Sequence, residues 1–475
     1  MILHVLIRIL EWMFFGYFIV IYAVYAALNI FAIRQIRRYL QVAEISTADS
    51  VFSSLDLPIS IVVPAYNESA SIITSVRALL QLEYPDYEVI VVNDGSSDGT
   101  LQKLTKEFQL RHFPEAYRKR ISCGVVRGVY RSATYPSLRV IDKHNGGSKA
   151  DALNAGINLC RYPLFCAVDA DSILQTDSLR RAVKPFLEQS NTIAAGGTVR
   201  IANGCTVHKG FLEKVGLPKR LLPLFQVVEY MRAFLYGRMG WTEINGVLII
   251  SGAFGVFDKE AVVRVGGYDS DAIGEDMELV LRLHRYYLAS GESYRIRFVP
   301  DPICWTDGPE DISSLRKQRI RWQHGLGQSL ALHRELLFAR GAGAVGWVAL
   351  PFFYVFELFG PFVEIGGYAF MGAAAFAGWV DWPTAGLFFG LSVSLGVMLS
   401  TSALMLDEMS FHVYPKFRSI AILFGVALLE NFGYRQLTLV WRTRGLIGWL
   451  RGHKPAWGQM QRSASLSETR AEKLP

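Results

Sequence analysis

Four clusters of polar residues have the composition that phosphate and sugar chemistry requires: Asn93-Asp94, Asn145 to Lys149, Asp169-Ala170-Asp171 and Glu275-Asp276. At an extended strand end, residues i and i+2 point to one side, so Asp169 and Asp171 can face a single cation. Two hard carboxylates with room for water suit Mg²⁺ or Mn²⁺ bridging to a diphosphate. An Asx turn that closes a strand has the same residues. Asp94, followed by Gly95, offers a carboxylate that can accept hydrogen bonds from a base N–H or ribose hydroxyls, with a glycine that lets the backbone turn closely around a ligand. A plain Asp-Gly turn explains the glycine but not the repetition at neighbouring strand ends.

Asn145 to Lys149 (NGGSK) places two glycines, a serine and a lysine just before a helix, an arrangement suited to one phosphate as well as to a simple loop. Neither G-x-x-x-x-G-K-[ST] nor a proper G-x-G-x-x-G is present, so a kinase, NTPase or dehydrogenase lacks its phosphate cradle. The stretch 271–285, DAIGEDMELVLRLHR, packs Asp271, Glu275, Asp276 and Glu278 where a helix begins. Helix capping is the plain explanation for that acidity. In RKQRIRWQHG (316–325), helical spacing puts Gln318, Arg321 and Trp322 on one face. Arg321 can grip a diphosphate with two parallel N–H groups, and Trp322 offers a flat apolar plate with a polar edge for a sugar ring. The same stretch also fits an interfacial helix with tryptophan and basic residues at headgroup level.

These clusters need a scaffold that brings them together. PISIVVPAY (58–66), VIVV (89–92), SLRVIDK (137–143) and LFCAVDAD (164–171) are strand-like. Helical patterns follow the first at ESASIITSVRALLQL, the second from Thr100, and the third at ADALNAGINLC. Such alternation predicts an α/β domain with a parallel sheet covered on both faces. Ligands of such sheets bind at the carboxyl ends of the strands, where Asn67-Glu68, Asn93-Asp94, Asn145 to Lys149 and Asp169-Ala170-Asp171 fall.

The chain has 475 residues, 51% of them hydrophobic and 13% aromatic, with a mean hydropathy of +0.23. The apolar excess is localised. Residues 12–33 carry no charge over a length that spans a bilayer, and the run is too long for a cleaved leader. Arg34, Arg37 and Arg38 follow it, placing the next block in the cytoplasm. Further apolar stretches lie at 343–379, 384–406 and 419–441. The expected plan is an anchor (1–38), a catalytic domain (50–310), an amphipathic interfacial segment (311–340), a membrane region (341–450) and a polar tail (451–475).

Glu430 and Arg435 interrupt the last apolar stretch, so three crossings plus one re-entrant or interfacial segment are expected, with the tail inside. Glu357 and Glu364 lie in a run broken by Pro351 and Pro361, as candidates for a polymer path or for a headgroup boundary. The net charge of +7 collects beside membrane segments, which favours an anionic lipid surface over nucleic acid. Five scattered cysteines suit a reducing compartment and no zinc site.

Taken in order, PAYNE, NDGSSDGT, NGGSKADALNAGI, DAD, SGAFG, GED and QRIRW resemble the processive, membrane-embedded glycosyltransferases of family 2, such as hyaluronan, chitin-oligosaccharide, cellulose and poly-N-acetylglucosamine synthases. The resemblance covers about residues 55–330. It implies a GT-A fold, a Rossmann-like mixed and mostly parallel sheet. It also implies that Ala65, Glu68 and Asp94 hold the uridine of a UDP-sugar, with Lys149 near the phosphates. Asp169 and Asp171 would hold metal and diphosphate, and Asp276 would be the general base with Glu275 beside it. Gln318, Arg321 and Trp322 would bind acceptor and diphosphate.

The implied activity is inverting, processive transfer, with N-acetylglucosamine the leading sugar, at a bacterial inner membrane. Partners would be the growing polymer, membrane lipids and polymer-export proteins. The membrane region is shorter than in synthases with a long secretion channel. Two rival readings are a non-processive transferase acting on a lipid and an inactive sugar-nucleotide-binding subunit. QRIRW speaks against the first; intact GED and DAD speak against the second.

Overall fold

A computed structural model describes residues 2–46, 56–208, 211–380, 382–414 and 416–453. The strands in chain order are β1 (Ile59–Ala65), β2 (Tyr87–Asp94), β3 (Leu110–His112), β4 (Val126–Ser132), β5 (Leu138–Lys143), β6 (Leu164–Val168), β7 (Ile173–Leu174), β8 (Thr192–Ile201), β9 (Thr206–His208), β10 (Phe211–Lys214), β11 (Phe254–Asp258) and β12 (Arg295–Thr306). Ten of them form one sheet in the order β3-β4-β5-β2-β1-β6-β11-β8-β12-β7, and β9 and β10 pair separately.

The centre, β5-β2-β1-β6, is parallel, as the strand–helix repeats predict. Beyond it the pairing turns antiparallel on both sides, except for β12 on β8. Central strands are buried on both faces, which explains their unbroken β-branched runs. Val62, Ile90, Val92 and Ile141 enter one apolar cluster, while Ile61, Val63, Val91 and Val140 enter the other. Alternation along each strand thus feeds two cores from one sheet.

The expected helices are present at Ile72–Leu79, Thr100–Phe108, Lys149–Leu159 and Glu275–Ser290. Helix Ile312–Leu332 carries QRIRW. Part of its surface packs closely against other protein elements. A Cβ on its Gly327 would meet the Trp449 ring at 2.7 Å, and one on Gly445 would meet the Ile320 carbonyl at 2.6 Å. Helix Tyr434–Leu450 therefore lies directly along it.

Two helical segments, Trp12–Gln41 and Ala385–Phe411, are long and apolar enough to cross a membrane. Two more apolar pairs are bent: Val345–Leu358 with Gly360–Phe376 by 42°, and Phe417–Leu429 with Tyr434–Leu450 by 57°. The second bend falls at the Glu430 interruption visible in the sequence. Three carboxylates in these segments are ion-paired. Asp407 bonds Arg200 of β8, both fully buried, and Glu430 bonds Arg232 at 2.5 Å. Glu357 meets Arg442 at 3.2 Å, so this carboxylate is tied to the helix lying along QRIRW. The polar tail from residue 454 onward lies outside the described residues.

Candidate active site

The site is assembled at the carboxyl ends of the central strands. β1 ends at Ala65, which is buried and paired with Asn93 of β2. The loop after it is stapled to the loop after β2. Asn67 adopts φ +57°, its N–H donates to Ser96 Oγ at 3.0 Å, and its Oδ1 accepts from the Ser97 N–H at 2.8 Å. The Glu68 N–H donates to Thr100 Oγ1 at 3.0 Å, and the Ser69 N–H to Asp98 Oδ2 at 2.9 Å. Ser71 Oγ donates to the Glu68 carboxylate at 2.9 Å. The loops after β1 and β2 are therefore locked together by four backbone donors.

Asp94, at the end of β2, is buried and ion-paired with Lys143 at the end of β5. Lys143 also meets Asp151 at 2.5 Å. Burial works to lower the Lys143 ammonium, but Asp151 and Asp94 outweigh it and hold the group above its ordinary value. The NGG turn wraps this cluster: the Gly146 N–H donates to Asp94 Oδ1 at 3.1 Å, and the Asn145 amide to the Asp94 carbonyl at 2.9 Å. Gly95, at φ +69°, has room for no Cβ, since one would lie 2.7 Å from the Asn145 nitrogen. This alters the phosphate-cradle reading of the turn. Its Gly146 N–H is already committed to Asp94, and the segment's remaining charged group is Lys149.

Lys149 begins its helix, which Ser148 caps through the Asp151 N–H at 3.3 Å. Its ammonium pairs with Asp169, donates to the Gly252 carbonyl at 2.8 Å, and stands 4.0 Å from Glu275. Burial opposes its charge, yet Asp169 and Glu275 more than compensate and raise the group above its ordinary value. Asp169 and Asp171 sit in a turn just past β6, with the Ser172 N–H donating to the Asp169 carbonyl at 3.0 Å. Strand alternation, the geometry expected from sequence, is replaced by a tight turn because β6 stops at Val168. The turn is closed through the Asp169 main-chain carbonyl, so it is a backbone turn that carries the two carboxylates.

Glu275 and Asp276 open their helix, preceded by Gly274, with no side-chain cap. The N-cap residue is a glycine, and the free N–H groups of the first turn are met from within it, in part by Asp276. The Asp276 Oδ2 accepts the Gly252 N–H at 3.0 Å, and Oδ1 accepts the Met277 N–H at 2.8 Å. Burial pushes the Glu275 carboxyl up, against the pull of Lys149 and with the help of Asp276. Glu278 is buried and bonds Arg282 at 2.6 Å and His333 at 3.1 Å, a structural role in place of the expected cap.

The QRIRW helix reaches this corner through a close crossing. A Cβ on Gly325 would sit 3.0 Å from the Gly274 nitrogen, and Gln328 accepts the Ile273 N–H at 2.9 Å. Arg321 is half-buried, and its charge favours the ionised form of Glu275. Trp322 is 43% exposed, available to a ligand. The Gln318 Oε1 is buried without a hydrogen-bond partner among the described residues, an acceptor in need of a donor. Sequence reasoning missed Gly252, which bonds both Lys149 and Asp276. Its signal was the SGAFG segment itself, whose contribution is made by the backbone.

A model of the family described as glycosyltransferase like family 2 matches residues 57–325, from the approach to β1 to just past Trp322. The chain belongs to this family. Its mixed sheet is the GT-A-like α/β arrangement. A poly-beta-1,6-N-acetyl-D-glucosamine synthase of Staphylococcus epidermidis is 29% identical over 267 residues, 56% of this chain and 54% of that one. The protein of the same name from Staphylococcus aureus (strain COL) is 28% identical over 313 residues, 66% of this chain and 64% of that one. The matched part of this glycosyltransferase family member thus spans between half and two thirds of those relatives. A mannosyltransferase of Pyrobaculum calidifontis, solved with GDP-Man and Mn2+, aligns over 91% of this chain and 99% of its own at 16% identity and a TM-score of 0.49, too remote to bear on the chemistry.

Proposed function

We propose that this chain transfers N-acetylglucosamine from a UDP-sugar to the growing end of a β-linked polysaccharide, with inversion and processively. The observation that carries the reading is the convergence on Gly252: Lys149, bound to Asp169, on its carbonyl and Asp276 on its N–H. A cation for the leaving diphosphate and a carboxylate for the incoming hydroxyl are held by one peptide segment. The family membership and the synthases matched above support the same reading.

In this reading Ala65, Glu68 and Asp94 border the uridine, and Lys149 and Arg321 face the diphosphate. The donor set of Asp169 and Asp171, two hard carboxylates on one turn, fits Mg²⁺ or Mn²⁺ that takes its other ligands from water and phosphate. Among the described residues no third His, Cys, Asp or Glu joins them. When bound, such an ion supplies charge neutralisation at the diphosphate. Asp276 takes the proton from the acceptor hydroxyl as that oxygen attacks the anomeric carbon. Two backbone N–H groups aim its carboxylate, and Glu275 supports it from beside. Gln318 and Trp322 receive the acceptor sugar.

The protein would act at the cytosolic face of a bacterial inner membrane as a multi-pass protein, with lipids and export proteins as neighbours. The sequence favours a processive enzyme over one that glycosylates a single lipid, because QRIRW supplies an acceptor platform. A panel of sugar nucleotides, tested on membranes containing the full chain, decides the matter by UDP release and product mass. Release from UDP-N-acetylglucosamine with a polymer ladder is expected; a single-sugar product would overturn the processive reading.

A further inference from the structure

One residue of the QRIRW turn remains without a role. Arg319 is buried, its guanidinium carbon lies 4.5 Å from the centre of the Trp322 ring, and its Nη2 donates to Glu229 at 2.8 Å. The same Glu229 oxygen accepts the Tyr434 hydroxyl at 2.8 Å. Tyr434 is stacked on Phe225, with ring centres 4.6 Å apart and planes at 21°. Three residues after Glu229, Arg232 bonds Glu430 at 2.5 Å. Glu430 and Tyr434 bracket the 57° bend between helices Phe417–Leu429 and Tyr434–Leu450. Both ends of the bend are therefore held from the Leu221–Met231 segment and its continuation.

Resting on the reading of Trp322 as the acceptor platform, we infer that Arg319 is a positioning residue that fixes the plane of Trp322, and that Glu229 joins this plane to the helix bend. A half-exposed indole with one open face is free to change rotamer unless something holds its other face. A flat guanidinium stacked on the ring does so, since cation and ring quadrupole attract. The guanidinium is in turn kept in place by a carboxylate that also anchors Tyr434. Arg319, unlike Arg321, thus acts on the acceptor side through tryptophan.

The test uses the full chain in membranes, with product length, acceptor KM and UDP-sugar KM as readouts. Arg319→Lys keeps the positive charge opposite Glu229 and loses the flat stacking group. It is expected to shorten the product and raise acceptor KM about 2- to 30-fold, the ratio carried by a cation–π contact of this kind. UDP-sugar KM should not move, and Arg319→Lys with Trp322→Ala should be no worse than Trp322→Ala alone. Parental product length in folded Arg319→Lys, while Trp322→Ala shortens it, would overturn the inference, as would additive losses in the double variant. If Trp322→Ala itself leaves product length unchanged, the acceptor-platform reading fails and takes the inference with it. Should Arg319→Lys not fold, Tyr434→Phe decides: a shorter product supports the link, and parental length refutes it.

Discussion

The Gly252 N–H points at the Asp276 carboxylate, 3.0 Å from Oδ2, while the carbonyl of the same glycine holds the Lys149 ammonium at 2.8 Å. A Cβ at this position would meet Lys149 Nζ at 3.1 Å and Asp276 Oδ2 at 3.6 Å. Both neighbours are tips of side chains, which can yield at little folding cost. Gly252→Ala should therefore leave thermal stability nearly unchanged and cut transfer sharply by moving Lys149 away from Asp169. Thermal unfolding beside UDP-release kinetics checks this, and a parental rate would contradict it.

Asp276→Asn keeps the shape and one amide contact but cannot take a proton. A general base contributes about 10²- to 10⁴-fold, so kcat should fall within that range while UDP-sugar affinity stays close to parental. Equilibrium nucleotide binding and initial rates separate the two. Glu275→Gln, which removes a carboxylate from beside the base, should be the milder change; the reverse order would exchange their roles.

Lys143 stands between Asp94 and Asp151 with none of its side chain exposed. Lys143→Met leaves two buried carboxylates without their counter-ion, which costs about 3–5 kcal/mol for a broken buried pair. A marked fall in the unfolding temperature of the detergent-solubilised protein is expected, and a change of a degree or less would show that water already reaches the cluster.

His284 is fully buried, with Nδ1 facing the Tyr294 hydroxyl at 2.7 Å and Nε2 donating to the Val247 carbonyl at 2.9 Å. Burial pushes it from its usual 6.5 down to about 4. Between those values the unfolded chain binds a proton that the native site refuses. This contribution to stability is complete above about pH 6.5 and is lost as pH falls to about 4. His284→Gln should flatten that part of the stability–pH curve, read as unfolding temperature at several pH values; an unaltered slope would assign it to other groups.

Much of the donor half could be read from residues alone, because each central strand is an unbroken β-branched run that stops at a polar turn. The antiparallel half could not. β8 carries two adjacent glycines, Gly196 and Gly197, and β12 contains Pro300 and Pro302 with shifts in register, so neither shows a clean period. Asp169 and Asp171 were legible as a pair, with a strand end and a turn both open, and the choice between them depends on where β6 ends. The acidic start of the 275–290 helix suggested capping because sequence shows composition and not direction. Only the fold reveals that Glu278 faces inward to His333 while Asp276 faces Gly252. The contribution of Gly252 is a peptide group, which no side-chain pattern records.

The stapling of Asn67, Glu68 and Ser69 to the loop 96–100 has a consequence for how the two halves respond to their surroundings. The loops assigned above to the nucleotide are secured within the sheet domain itself, by hydrogen bonds between one another. Trp322 depends on Arg319, Glu229 and Tyr434, and so on a bent pair of helices apolar enough to lie in a membrane. Extraction into detergent, or a change in acyl-chain thickness, should then alter product size well before it alters the grip on UDP. Under the proposed function, lipid composition would then be a setting for polymer length.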